Sequence, residues 1–145
     1  MVTLDRFIAA QQTTFTQALE ELRAGEKRSH WMWFIFPQIK GLGRSSTARY
    51  YAISGIDEAK AYLAHPVLGP RLAQCTDAVL GWAGKRGAEA IFGHIDTLKF
   101  ASSMTLFEAA DGEDARFGRA LETFFGGQRD AETLAILESH GQEWE

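Results

Sequence analysis

The sequence predicts an all-α protein, a single compact orthogonal domain of about six to eight helices. Three observations support this fold class. Several segments place apolar residues three and four positions apart, which is typical of one helix face. No segment shows the clear alternation of a half-buried strand. A chain of 145 residues that is 46% hydrophobic has the size and composition of one domain, and no repeat or linker divides residues 1–145.

The first predicted element is a long N-terminal amphipathic helix over residues 4–24. Thr3 is suited to cap its start, and Gly25 is suited to end it. The apolar face consists of Leu4, Phe7, Ile8, Phe15, Ala18, Leu19 and Leu22. We expect this face to pack against the core.

An aromatic stretch over residues 28–38 follows, and the rest of the chain is predicted to pack around it. Residues 31–36 are continuously apolar, so periodicity alone leaves both a strand and a short helix open. The aromatic side chains and Pro37 favour a strand. Ser29 as a cap and the lack of a second strand favour a short buried helix, which is our interpretation.

The remaining segments are predicted to be helices, and glycine and aspartate residues mark the breaks between them. Ser46 or Thr47 is predicted to cap a short helix with two tyrosines, Asp57 the next helix, and Asp96 a helix that begins at Thr97. The other predicted helices cover about 67–83, 88–92, 115–125 and a last one that starts at Asp130 and ends near Leu137. The tail over 138–145 is expected to fray.

Composition excludes several classes of function. A net charge of −4 and a pI near 5.6 argue against general nucleic-acid binding. No apolar run approaches the roughly 20 residues that span a bilayer. The lone Cys75 precludes an intramolecular disulfide, and no signal-peptide pattern is present, so we expect a cytoplasmic protein. The four histidines lack the spacing of a paired metal site, and we predict neither a metal nor a cofactor.

A glycine-rich loop over residues 41–46 has the parts of an anion site. Gly43 allows backbone N–H groups to converge, Arg44 supplies a fork of donors, and Ser45 precedes a helix. The loop lacks the ending of a Walker loop and the third glycine of a dinucleotide fingerprint. The alternative is a flexible connection whose serine only caps the helix.

Polar residues flank the aromatic stretch and are candidates for ligand binding. Arg28 and Gln38 could hydrogen-bond a ligand whose ring stacks on Trp31 or Trp33. His30 is the candidate general acid or base, because its ordinary pKa lies near neutrality. The alternative is that these aromatic residues are core, and at most one or two of them can line a pocket.

A third candidate group lies in the helix predicted from Thr97. Lys99, Ser102 and Ser103 fall within one helical turn, so an ammonium group and two hydroxyls can share a face. The alternative is that the small serines permit close packing of two helices.

Long blocks of the chain resemble the bacterial domain-of-unknown-function 1810 family. The blocks are residues 29–38, 41–45, 62–72, 102–107 and 124–127. The resemblance covers about Leu4 to Leu137 and implies a small, mainly helical, soluble protein without an assigned activity. Some family members carry the label calpastatin, which does not suit a compact chain rich in apolar residues.

Two functional hypotheses are consistent with the sequence. The first is a protein that binds or processes an anionic, ring-bearing small molecule, such as a nucleotide or an ADP-ribose-like metabolite, in a cleft beside residues 28–38. The second is an interaction module without chemistry, such as a homodimer joined through an exposed apolar patch. The sequence leaves both a monomer and a homodimer open.

Overall fold

Ten helices build the fold in the computed structural model, which describes residues 3–142. No extended sheet occurs in that range, so the all-α prediction is confirmed. The count exceeds six to eight because it includes the short helices α3, α4 and α7, of four or five residues each, and because the predicted N-terminal helix forms two helices. The helices are α1 Asp5–Gln12, α2 Phe15–Ala24, α3 Met32–Ile35, α4 Ser46–Tyr50, α5 Ile56–Ala64, α6 Leu68–Leu80, α7 Ala88–Phe92, α8 His94–Ala110, α9 Ala115–Phe125 and α10 Ala131–Gln142.

The predicted N-terminal helix is divided into α1 and α2 by a turn at Thr13 and Thr14. The Thr14 hydroxyl donates a hydrogen bond of 2.6 Å to the carbonyl of Ala10. Such side-chain bonds compete with the backbone bonds of a helix, and two adjacent β-branched residues also lower helix propensity. The predicted end at Gly25 is confirmed, because Gly25 adopts the left-handed conformation with φ of 79°.

Helix α8 lies at the centre and contacts α5, α7, α9 and α10. Its Phe100 and Phe107 are fully buried. Phe36 from the aromatic stretch meets Phe100 at 5.0 Å between ring centroids, and Tyr62 from α5 meets Phe107 at 5.4 Å. These contacts place the aromatic stretch against the middle of the core, as predicted.

The aromatic stretch forms the short helix α3, which confirms the helical interpretation of residues 31–36. The helix ends at Ile35, and the chain then runs through buried Phe36 and Pro37 to Ile39. Ile39 makes an isolated parallel bridge with Ile53. The glycine-rich loop is therefore closed at its base by two backbone hydrogen bonds of 2.8 Å, from Lys40 N to Ile53 O and from Ile53 N to Gln38 O.

Several predicted helix starts are wrong by one to three residues. Ser45, not Ser46 or Thr47, caps α4, because its hydroxyl accepts a hydrogen bond from Ala48 N. Helix α5 begins before Asp57, and α8 begins at His94, so Asp96 lies inside the first turn instead of capping it. At that position the positive end of the helix dipole stabilises the Asp96 carboxylate.

The predicted end of the last helix near Leu137 is wrong, because helix α10 continues to Gln142. The expected fraying of the tail over 138–145 stays a prediction. Thr133 within α10 is fully buried, and its hydroxyl donates to the Asp130 carboxylate at 2.6 Å. Residues 143–145 lie outside the described residues.

Candidate functional site

Two lysines share one carboxylate at the N-terminal end of α8. Lys27 Nζ lies 2.9 Å from Asp96 Oδ2, and Lys99 Nζ lies 3.2 Å from Asp96 Oδ1. The three side chains are only 9%, 22% and 17% exposed for Lys27, Lys99 and Asp96. Burial alone would raise the pKa of Asp96, but the hydrogen bonds and charges of Lys27 and Lys99 outweigh it and lower that pKa. The cluster is therefore charged and has one positive charge in excess.

Each lysine of this cluster lies over a tryptophan of the aromatic stretch. Lys99 Nζ is 4.1 Å from the centroid of the Trp33 ring, and Lys27 Nζ is 5.2 Å from that of Trp31. Trp31 is buried, with its indole N–H donating to Glu21 at 2.9 Å, whereas Trp33 is only half-buried. Of the two predicted stacking rings, Trp33 thus retains an exposed surface and Trp31 belongs to the core.

The glycine-rich loop packs against the same Trp33 ring. A Cβ atom at Gly43 would lie 3.4 Å from the edge of this ring and would overlap the Cβ of Ala48, so the loop requires glycine here. Arg44 follows directly and is exposed. Ser45 holds the start of α4 through its hydroxyl, as the capping alternative states. The structure therefore brings Trp33, Gly43 and Lys99 together.

Two of the predicted binding residues, Gln38 and Ser103, are buried polar side chains. Neither Gln38 Nε2 nor Ser103 Oγ has a hydrogen-bond partner within residues 3–142. Buried polar atoms without partners are uncommon and need an explanation. Ser103 lies one helical turn beyond Lys99, whereas the hydroxyl of Ser102 donates to the carbonyl of Leu98 at 3.1 Å within α8. Of the two serines, Ser103 is therefore the one with a free donor.

Arg28 and His30 lie on an exposed loop that leads into Trp31. The Arg28 guanidinium lies 3.6 Å from Glu26, and both of these side chains are mostly exposed. The loop is held by the buried Glu21 carboxylate, which accepts hydrogen bonds from the amides of Arg28 and Ser29 and from the Ser29 hydroxyl. Within residues 3–142, no hydrogen bond or cation–π contact joins Arg28 or His30 to Trp33.

Sequence reasoning missed three residues that shape this region. In the sequence Asp96 is interpreted as a helix cap, and no local pattern assigns a role to Lys27 or Glu21. The pairing of Asp96 with Lys99 had a signal, since opposite charges three positions apart on a helix attract each other. The contact between Lys27 and Asp96 joins residues 69 positions apart in sequence, and no local pattern predicts it.

The described residues contain neither a membrane-spanning helix nor a cluster of metal-binding side chains. No helix within residues 3–142 is long and apolar enough to cross a bilayer. Over the same range, no three His, Cys, Asp or Glu side chains are grouped as a metal site would require.

The fold and site define a small all-α protein with a half-buried tryptophan beside a lysine–aspartate cluster. A family model described as protein of unknown function DUF1810 matches residues 1–137, so the chain belongs to the DUF1810 family. The crystal structure of the conserved hypothetical protein Rv1873 from Mycobacterium tuberculosis is similar to it, with 49% identity and a TM-score of 0.90 over 93% of this chain and 96% of that one. No curated protein matches the chain significantly.

Proposed function

We propose that this protein binds an anionic small molecule with a flat ring, such as a nucleotide or an ADP-ribose-like metabolite, beside Trp33. The observation that carries the proposal is the sharing of Asp96 by Lys27 and Lys99. Two ammonium groups contact one carboxylate, and all three side chains are mostly buried. Burying a charge costs free energy of folding unless an opposite charge pairs with it. A phosphate or carboxylate of the ligand would supply the missing negative charge.

The ring of the ligand would stack on the exposed part of Trp33. Stacking on an aromatic side chain suits a nucleobase or a nicotinamide and contributes about 1–3 kcal/mol per base. Arg44, which follows the loop glycine that contacts Trp33, would bind the anionic group together with Lys99. Gln38 Nε2 and Ser103 Oγ are buried in this structure, so these two side chains would contact the ligand only after a local rearrangement.

The other predicted site residues have supporting roles in this proposal. Trp31 and Ser45 position Lys27 and the glycine-rich loop, and Ser102 stays within α8. Arg28 would add a mobile positive charge at the rim. His30 is our proposed general acid or base for a reaction on the bound molecule, and binding itself does not require it.

Calorimetric titration with nucleotides, ADP-ribose and sugar phosphates measures binding directly and tests the proposal. Denaturation in the presence of each compound gives a second measurement. A ligand at 100 times its dissociation constant should raise the free energy of unfolding by about 2.7 kcal/mol. Inorganic phosphate and an uncharged nucleoside separate the contributions of charge and ring. Lys99→Met and Trp33→Leu should each weaken binding at least about tenfold, which is about 1.4 kcal/mol.

Lys60→Met is the matched control, because Lys60 is an exposed lysine on α5. This variant should bind like the wild type. Equal affinity of the Lys99→Met variant and the wild type would contradict the site. A protein that no anionic ring compound stabilises would contradict the function and favour an interaction module.

A further inference from the structure

Helix α8 exposes two large apolar side chains on the side away from the core. Ile95 is 69% exposed and Leu98 is 59% exposed, and they lie one helical turn apart. The rest of α8 is packed on nearly every side, with Phe100 and residues 102–107 buried. Exposed apolar residues that cluster in this way mark interaction surfaces more often than scattered ones do.

A shallow hollow of about 410 Å³ lies beside Leu98. Its apolar walls come from α7, α8 and α9, and both Phe124 and Phe125 are only partly buried. The residues that line it include Ala88, Ala90, Thr97, Leu98, Phe124 and Phe125. We call this hollow, together with Ile95, the α8 face. It contains both a protruding apolar side chain and a depression that can receive one.

Charged residues of opposite sign lie at the two ends of the α8 face. At one end, a second hollow includes Lys85 and shares Gly87 and Phe124 with the first. At the other end, Glu89 and His94 also line the first hollow, with Glu89 Oε1 2.7 Å from His94 Nδ1, and His94 borders the hollow around Ile95 as well. The surface therefore runs from a basic end through an apolar middle to an end that carries an exposed carboxylate.

We propose that the α8 face binds a second copy of this chain in a two-fold symmetric dimer. A two-fold interface joins one surface to itself, so that surface must be self-complementary. An antiparallel arrangement places Ile95 of each copy in the hollow of the other and brings Lys85 opposite Glu89 of the second copy. The α8 face carries both a protruding apolar side chain and a hollow, and both a basic and an acidic end. A different partner protein would not require both members of each pair on one surface.

Sedimentation equilibrium of the full chain over a range of concentrations tests this inference. We expect a dimer whose dissociation constant lies between about 1 µM and 1 mM, as for a small apolar interface. Leu98→Glu and Ile95→Glu should each raise that constant at least tenfold. Leu134→Glu is the matched control, because Leu134 is an exposed leucine on α10, and it should leave the constant unchanged.

A charge exchange tests the antiparallel arrangement. Lys85→Glu should weaken the dimer, and the double variant with Lys85→Glu and Glu89→Lys should restore it. Circular dichroism checks that each variant is folded. A wild type that stays monomeric to about 1 mM would overturn the inference and leave the face to another partner. A dimer that is insensitive to both Leu98→Glu and Ile95→Glu would overturn it as well.

Discussion

Glu21 is the residue whose loss should most disturb the loop that leads to the site. Its carboxylate accepts four hydrogen bonds, from the amides of Arg28 and Ser29, the Ser29 hydroxyl and the Trp31 indole. Burial alone would raise its pKa, but these bonds lower that pKa from the ordinary 4.5 to about 2. The stability that Glu21 contributes is therefore complete above about pH 4.5 and is lost as the pH falls towards 2.

Chemical denaturation of Glu21→Gln as a function of pH tests this interpretation. We expect a loss of about 1–3 kcal/mol at neutral pH, because a neutral amide accepts weaker hydrogen bonds than a carboxylate. The variant should also lose part of the acid-dependent destabilisation below pH 4.5. Glu20→Gln, on the exposed side of the same helix, should behave like the wild type. If the free energy of unfolding fell equally below pH 4.5 in Glu21→Gln and in the wild type, the role assigned to Glu21 would be contradicted.

Asp96 shows what a sequence can and cannot predict about a single residue. Its position before an apolar segment is typical of a helix cap, but this pattern depends only on neighbouring residues. Its actual partners are Lys99 on the same helix and Lys27, which reaches it from a distant loop. Lys27 is placed there by a backbone bond of 2.7 Å to the carbonyl of Ile91, a contact that depends on how α7 packs. Such tertiary pairs are outside any single sequence window.

Gly69 controls the close approach of two consecutive helices. It lies in the first turn of α6, and a Cβ atom there would overlap the backbone carbonyl of Leu63 in α5. Backbone cannot rotate away as a side chain can, so we expect Gly69→Ala to destabilise the protein by about 1–3 kcal/mol. Thermal unfolding measures this loss. Gly112→Ala is the control, because its Cβ would meet nothing closer than 3.8 Å, and equal stability of the two variants would contradict the packing argument.

The helices themselves were largely predictable, whereas their ends were less so. The three-and-four spacing of apolar residues correctly identifies α2, α6 and α9, since amphipathic periodicity is a local property. The break between α1 and α2 depends on the Thr14 hydroxyl, and the bridge from Ile39 to Ile53 joins two segments that show no strand pattern. In the candidate site, the sequence identifies the loop glycines, Lys99 and Trp33, and the hypothesis of one cleft requires them to converge, but no local pattern shows which of them contact each other.

At the scale of the whole molecule, the buried apolar residues form one continuous cluster from Phe7 in α1 to Leu121 in α9. Because every long helix from α1 to α9 contributes to this cluster, no part should unfold alone at equilibrium. We predict a single thermal transition in which the calorimetric and van't Hoff enthalpies agree. A second transition, or a calorimetric enthalpy well above the van't Hoff value, would contradict the prediction of one domain.

The bridge between Ile39 and Ile53 has a consequence for protein engineering. Its two hydrogen bonds join backbone atoms, so they hold both ends of the intervening segment whatever side chains that segment carries. Within it, Ala48 is buried and Tyr51 packs on Phe7 and Phe34, but Arg44, Ser46 and Thr47 face solvent. Libraries randomised at those three exposed positions should therefore leave the scaffold folded while changing which ligands bind at the proposed site.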